Sequence, residues 1–530
     1  MATNASPTTS NRSIARSTSQ ISLATAASRV LGFIRDLLIA GLFGTGVSAQ
    51  AFVVAFRLPN LFRDLVAEGA MTTAVVPVLS AYRATKSQEE FWRLAQASAV
   101  RVLVIATGLG LLGTLGAPWL VRLIAPGFVH DPAKFALTVQ MTRWCFPFIT
   151  LVGVWAFFCG LLNSLNSFTV AALGPAVLNL LMIAGCVWLV PLADPPVLGV
   201  IWAVLAGGVA QLVMQLPQVF RLGFRWRWIW RDEGASQMMR LLAPRLVGAA
   251  VYQVELLAMT ILASIGALAG EGAVAALYFA NRLVQLPLAL FATASAQASL
   301  PVLSERAAMN NLVLFRSTTL KVLRMVMFES LPAAVGLIVM AVPIVQACFE
   351  RGAFTAEATH ITAQTLQFSA IGLLAYAAGR VLAGAFYALH DTRTPVRFAA
   401  QALAVNVVLA VVLVHPLHVG GLALATALSS SLNAWWLLRK LEQRIDRPLF
   451  APLLGPFLRM VGASLIMGGG CWVAWRWCDG HVPLVVGLSL IIVGGIILYG
   501  LSCLVLRVDE VTIIRRWLSK LRPTQPSSRT

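Results

Sequence analysis

"SRVLGFIRDLLIAG", residues 28–41, lies in one of the most apolar regions of the chain and yet carries Arg29, Arg35 and Asp36. What these charges mean depends on the medium around them. Of 530 residues, 58% are hydrophobic and 12% charged, and the mean hydropathy is +0.81. A soluble domain carries about 25% charged residues. Apolar runs of at least ~18 residues, enough to cross a hydrocarbon core of roughly 30 Å, recur from end to end. Period-2 alternation is absent, which excludes a β-barrel. The fold class is therefore an all-α polytopic membrane protein.

Apolar runs set against polar punctuation predict 14 transmembrane helices, near 21–43, 47–80, 92–124, 134–163, 168–191, 197–220, 237–266, 272–303, 313–347, 360–389, 395–414, 420–438, 454–477 and 483–506. An even number places both ends on one side. With the N-terminus in the cytoplasm, the cytoplasmic segments carry 25 Arg and Lys residues, against only Lys134 and Arg351 in the opposite loops. That asymmetry is the positive-inside signature. It also accounts for the net charge of +19 without nucleic acid as a partner.

The chain is internally duplicated. "FRLPNLFRDLVAEGAMTTAVVPVLS" (56–80) has its partner in "NRLVQLPLALFATASAQASLPVLS" (281–304). Arg57 maps to Arg282, Pro77 to Pro301, Phe128 to Phe354, Gly160 to Gly384 and Asn179 to Asn406, with offsets of 224 to 227. Helices 1–6 and 7–12 read as two six-helix repeats, parallel because each holds an even number of spans. Helices 13 and 14 are appended. Transporters of this architecture bind substrate near midplane between the repeats.

Intramembrane charge supplies the candidate site. A lone Arg at a helix centre costs roughly 2.5–3.5 kcal/mol on insertion scales. Arg29 and Arg35 fall in helix 1, Arg57 and Arg63 in helix 2, and Arg282 in helix 8. Arg35, Arg63 and Arg282 lie too far inside their spans to snorkel comfortably to the interface. The acids nearby are Asp36, Asp64 and Glu68, so five arginines leave a cationic excess. Arg63 and Asp64 are sequence neighbours whose pairing cannot be assumed. A cationic cavity suits an anionic ligand, and the planar guanidinium fork suits phosphate. Pure structural ion pairing is the competing reading. Pro59-Asn60 predicts a break in helix 2, since proline removes a helical hydrogen bond.

Other motifs carry less. "GLGLLG" (108–113) matches a dinucleotide fingerprint literally, but it sits inside a membrane helix without a βαβ unit. Seven cysteines and six histidines show no metal spacing, so neither a metal nor another cofactor is expected, and no catalytic constellation marks an enzyme. "RLGFRWRWIWR" (221–231) interleaves Arg with Trp and reads as an interfacial segment facing anionic lipid. The N-terminal "MATNASPTTSNRSIARSTSQ" has no apolar core of a secretory signal and is expected to be a disordered tail.

At "SRVLGFIRD…AFRLPNLFRDLVAEGAMTTAVVPVLSAY" the chain resembles the MurJ (MviN) family of lipid II flippases, within the multidrug/oligosaccharidyl-lipid/polysaccharide exporter superfamily. "APGF", "YFANRLVQLP…LPVLS", "RGAFT" and "FYALHDTRTPV" extend the match over roughly residues 20–506. The resemblance implies two lobes in a V shape with a groove for the polyprenyl tail at helices 13–14. The chain then divides into a tail (1–20), an N-lobe (21–222), a basic-aromatic linker (223–236), a C-lobe (237–440), the tail groove (441–507) and a C-terminal tail (508–530). It further implies that Arg29, Arg35, Arg63 and Arg282 bind the pyrophosphate and headgroup of lipid II. Asp36, Arg57, Pro59, Asn60 and Glu68 would belong to the cavity or its conformational switch.

The resemblance also implies the bacterial inner membrane, with membrane lipids and cell-wall synthesis proteins as further partners of a monomer. Departures are Gln50, Asn281 and Gln285, where relatives often carry acids, and Met259 and Ala410, where some carry acids suited to sodium. These departures count against sodium coupling. Two other readings remain: an exporter of a different polyprenyl-linked glycan or anionic amphipath, and a non-transporting scaffold.

Overall fold

A computed structural model describes residues 7–65, 71–478 and 480–511. Every regular element among these residues is helical, as expected where backbone groups have no water to satisfy them. The chain forms two compact units, the first reaching Ala275 and including Arg351–Thr355, the second holding the remainder.

The first unit contains α1 (Pro7–Phe43), α2 (Val47–Leu65), α3 (Met71–Thr85), α4 (Gln88–Leu115), α5 (Ala117–Ile124), α6 (Pro132–Cys145), α7 (Phe148–Ser164), α8 (Thr169–Trp188), α9 (Leu198–Arg221), α10 (Glu233–Ser264) and the short α11 (Gly266–Ala269). α1 lies along α8, α8 along α9, α2 along α6, and α7 against α3 and α4. Local sequence sets several starts. Ser87 and Glu90 cap α4 reciprocally, with Glu90 N donating to Ser87 Oγ at 3.2 Å and Ser87 N to Glu90 Oε2 at 3.0 Å, a capping box. Asp131 accepts from the amides of Ala133 and Lys134 ahead of α6, and Asp232 from that of Ala235 ahead of α10.

The second unit begins within α12 (Ala273–Pro287). A π-helical turn at Leu288–Ala292 joins α12 to α13 (Thr293–Ala308). Next come α14 (Leu312–Val339), α15 (Ala341–Phe349), α16 (Ala356–Ile371), α17 (Leu373–Ala388), α18 (Arg393–Leu417), α19 (Val419–Ile445), α20 (Phe450–Cys478) and α21 (Leu484–Val505). α19 packs on α16, α17 and α18, while α20 packs on α14 and α21. Tyr499 of α21 donates to the Phe328 carbonyl of α14 at 2.9 Å. Near the middle of α14, Arg324 holds Asp509 at 2.8 Å and Glu510 at 2.6 Å.

Nine described helices are long and apolar enough to cross a membrane, ten when α16 and α17, bent by 42°, count as one span. The expected helices 1, 2, 7 and 12 fall outside that class. Helices 1 and 2 are the ones that carry Arg29, Arg35, Arg57 and Arg63, so the charges that mark them as interesting also lower their apolarity.

Two local expectations are corrected. Residues 7–20 continue α1 instead of forming a disordered tail: no Gly or Pro interrupts 8–31, so nothing in the sequence breaks the helix. The break expected at Pro59-Asn60 is absent as well, because α2 runs through both residues to Leu65 with Pro59 buried inside it. Proline costs a helix one hydrogen bond and some strain, and a helix held along its length by neighbours tolerates that loss.

Candidate functional site

The opening stretch is an interface on α8. Ser28, Gly32 and Arg35 recur at helical spacing, which places them on one face of α1. Across from them stands Asn179 of α8, whose Nδ2 donates to the Ser28 carbonyl at 2.9 Å. Gly32 permits this approach, since a Cβ there would meet Asn179 Nδ2 at 3.3 Å. Arg35 is only 6% exposed and Asp36 only 2%. Arg35 donates from Nε and Nη2 to Asp36 Oδ1, at 3.0 and 2.8 Å, and from Nη1 to Asn179 Oδ1 at 2.8 Å. A guanidinium so placed is satisfied by protein instead of lining open water. Arg29, two turns earlier, is exposed.

A second Arg-Asp pair sits on α2. Arg63 donates from Nε and Nη2 to Asp64 Oδ1, at 3.2 and 2.9 Å, and Asn60 Nδ2 donates to Asp64 Oδ2 at 3.2 Å. Adjacent residues on a helix point apart, but here the long Arg side chain folds back onto its neighbour. Both side chains are 24% exposed, so this pair is far more open than the first. Arg57 is half-buried on the same helix. Glu68 lies outside the described residues.

Gln50, on the buried face of α2, accepts from Lys134 Nζ at 3.1 Å and donates to the Thr45 carbonyl. Lys134 also stands 4.2 Å from the Phe128 ring centroid and 3.9 Å from Glu271. The amide at position 50 therefore meets the buried cation with a neutral acceptor.

In the second unit, Arg282 is half-buried. Its Nη2 donates to Tyr278 Oη at 3.0 Å, and its guanidinium lies over the Tyr278 ring at 4.7 Å. The π-turn follows on α12, and such turns often mark functional segments. Arg380 of α17 donates to Thr293 at the end of that turn. Sequence reasoning passed over Arg380, although the signal was present: an arginine within the apolar run "LLAYAAGRVLAGAFYA". Side-chain hydrogen bonds thus bring Arg35, Asp36 and Asn179 together in a buried cluster, and separately Asn60, Arg63 and Asp64 in a part-buried one.

Comparison with known proteins places most of the chain. The family described as lipid II flippase MurJ matches residues 39–491. The "Probable lipid II flippase MurJ" of Rhizobium meliloti is 36% identical over 466 residues, covering 86% of this chain and 85% of its own. That of Haemophilus influenzae is 31% identical, covering 92% and 98%. Among solved structures, a lipid II flippase MurJ in an inward closed conformation superposes with a TM-score of 0.79 at 24% identity, over 93% of this chain and 99% of that one. An inward-facing MATE transporter of the MOP superfamily follows at 0.67 and 14%, over 79% and 94%. These structural likenesses carry the fold, and the sequence matches carry the family. The chain belongs to the MurJ family of lipid II flippases.

Proposed function

We propose that the chain carries lipid II from the cytoplasmic to the periplasmic leaflet of the bacterial inner membrane by alternating access. The 14-span topology with cytoplasmic termini, the two parallel six-helix repeats and the tail groove at helices 13–14 are part of this reading. The loop-charge asymmetry and the near-constant repeat offset support them. It assigns Arg29, Arg35, Arg63 and Arg282 to the pyrophosphate headgroup, and Asp36, Arg57, Pro59, Asn60 and Glu68 to the cavity or its switch. A monomer that meets cell-wall synthesis proteins completes the proposal.

One observation carries the chemistry. "RD" occurs at 35–36 and again at 63–64, and in both places Nε and Nη2 of the arginine converge on a single carboxylate oxygen. The same fork accepts a phosphate oxygen. Each aspartate thus acts as a resident anion that the pyrophosphate displaces, so no arginine is left unpaired before substrate arrives. Displacement is easiest at the more open Arg63–Asp64 pair. At the buried Arg35–Asp36 pair it requires α1 to part from α8, which links headgroup binding to helix movement.

An inside-negative potential favours outward passage of an anion by ~2.3 kcal/mol per charge per 100 mV. Collapsing the potential in vesicles is expected to slow translocation; an unchanged rate removes the coupling. The binding assignment is tested with purified protein in vesicles. Arg63→Ala and Arg63→Lys are expected to slow lipid II translocation, the lysine variant less so. Full translocation by Arg63→Ala contradicts the assignment.

A further inference from the structure

The segment between α9 and α10 is built in an unusual way for a loop. Residues 224–232 adopt neither helix nor strand, yet they are fixed at both ends. Phe224 is buried against Trp92 of α4 and Phe158 of α7, with ring centroids 6.3 and 5.4 Å away. Gln96 Nε2 donates to the Arg225 carbonyl at 2.7 Å. Arg101 of α4 does most of the holding. Its Nε and Nη2 donate to the Trp230 carbonyl at 3.0 and 2.7 Å, Nη2 also to the Asp232 carbonyl at 3.0 Å, and Nη1 to Ser236 Oγ at 2.9 Å.

Within residues 224–232 the hydrogen bonds from Gln96 and Arg101 all go to main-chain carbonyls, which leaves the strap's Trp and Arg side chains largely exposed. Trp226, Trp228 and Trp230 are large exposed apolar residues, Trp228 at 65%. A tight turn centred on Trp228, closed by Ile229 N donating to the Arg227 carbonyl at 3.1 Å, pushes that ring outward. Arg225, Arg227 and Arg231 are exposed as well. The first acid after them, Asp232, is turned inward, capping α10 and facing Arg93 at 3.8 Å.

α4 fixes the depth of this segment. Before Arg101 it exposes no large apolar side chain; after Arg101 it exposes Val104, Ile105, Leu109, Leu111, Leu112 and Leu115. Arg101 therefore marks the level at which α4 enters lipid, and its guanidinium ties Trp230 to that level. Exposed Trp at the lipid boundary is stable because the ring is apolar and its N–H is polar. Exposed Arg at the same level meets lipid phosphate.

The geometry points to residues 225–231 as a docking strap for anionic phospholipid on the cytoplasmic leaflet, with Trp226, Trp228 and Trp230 seated at the boundary and Arg225, Arg227 and Arg231 contacting phosphates. This inference does not depend on which substrate the chain transports.

The test uses the purified full chain and phosphatidylglycerol, with retained lipid counted by native mass spectrometry at increasing lipid concentration. Replacing Arg225, Arg227 and Arg231 together by Gln is expected to weaken phosphatidylglycerol binding at least about tenfold, since each juxtamembrane cation contributes ~1 kcal/mol. The corresponding Lys triple is expected to keep most of the binding, and raised salt to weaken it in wild type and the Lys triple but not in the Gln triple. Neutral phosphatidylcholine should distinguish none of the arginine variants, whereas Trp226→Ser/Trp228→Ser/Trp230→Ser should lower retention of both lipids. A matched substitution of the exposed Arg393 and Arg397 by Gln gives the background. Gln-triple binding equal to wild type, or a loss no larger than that background, overturns the proposal. So does a labelled single-stranded RNA that binds with the same arginine dependence and displaces the lipid, which would make the strap a nucleic-acid surface. Circular dichroism and a monodisperse elution profile confirm that each variant is folded.

Discussion

Arg35 spends two of its donors on one oxygen of Asp36, at 3.0 and 2.8 Å, and a third on Asn179, 144 residues away on α8. This is a buried ion pair within a helix interface. In the proposed cycle it is also a pyrophosphate site held shut by its own counter-ion. The two roles separate under mutation.

Removing one member of the pair leaves a buried charge, which costs about 3–5 kcal/mol, whereas replacing both with apolar residues is often neutral. Asp36→Ala is therefore expected to lower thermal stability in nanodiscs sharply. Arg35→Leu combined with Asp36→Leu should recover most of that stability without recovering lipid II translocation. A double variant that transports at the wild-type rate reduces Arg35 to a structural residue.

Arg63 gives the complementary case. Its pair with Asp64 is 24% exposed on both sides, and open pairs contribute about 1 kcal/mol or less. Arg63→Ala should leave the melting profile nearly unchanged while lowering translocation about tenfold or more, as expected for loss of a charged hydrogen-bonding partner. Paired melting and transport measurements decide this.

How much of this was legible in the sequence depends on range. The placement of Arg35 and Arg63 on helices follows from apolar runs, because period and charge are local. The partner of Arg35 is not local: Asn179 stands out only as the repeat mate of Asn406, and nothing in a single sequence says that α8 lies along α1. Pro59 misled for a similar reason, since its helix-breaking tendency is local and the packing around α2 that outweighs it is not. Arg380 was legible and overlooked, as it lies outside the conspicuous motifs. The π-turn after Pro287 has no periodic signature.

Close backbone packing gives a third prediction. Gly352 has φ +58°, and a Cβ there would stand 2.3 Å from the Gly41 carbonyl oxygen, beside the 2.8 Å hydrogen bond from Ala353 N to that same oxygen. Gly352→Ala is expected to cost about 1–3 kcal/mol through strain and overpacking. Thermal unfolding should show the loss, and faster amide exchange at Ala353 should locate it.

Glu442, past the expected end of helix 12, shapes the turn into α20. Its Oε1 accepts from the amides of Leu449 and Phe450, both at 2.7 Å, and its Oε2 from Arg439 at 3.0 Å. Burial alone would raise its pKa, but the Phe450 and Leu449 amides and Arg439 outweigh that and hold it below the ordinary value of 4.5. A carboxylate depressed in the folded state stabilises above its unfolded pKa and loses that contribution as pH falls through the folded one. Glu442→Ala is expected to cost about 1–2 kcal/mol at neutral pH. The gap from wild type should shrink as pH drops below 4.5, and melts at a series of pH values will show whether it does.

The most direct test of the account is lipid II translocation by the purified chain in sealed vesicles, comparing wild type with Arg63→Ala and with Arg35→Leu/Asp36→Leu. The account predicts rapid translocation by wild type and a loss of about tenfold or more in both variants, each of which remains folded. Wild-type vesicles that leave lipid II in its starting leaflet, or variants that move it at the wild-type rate, would contradict it.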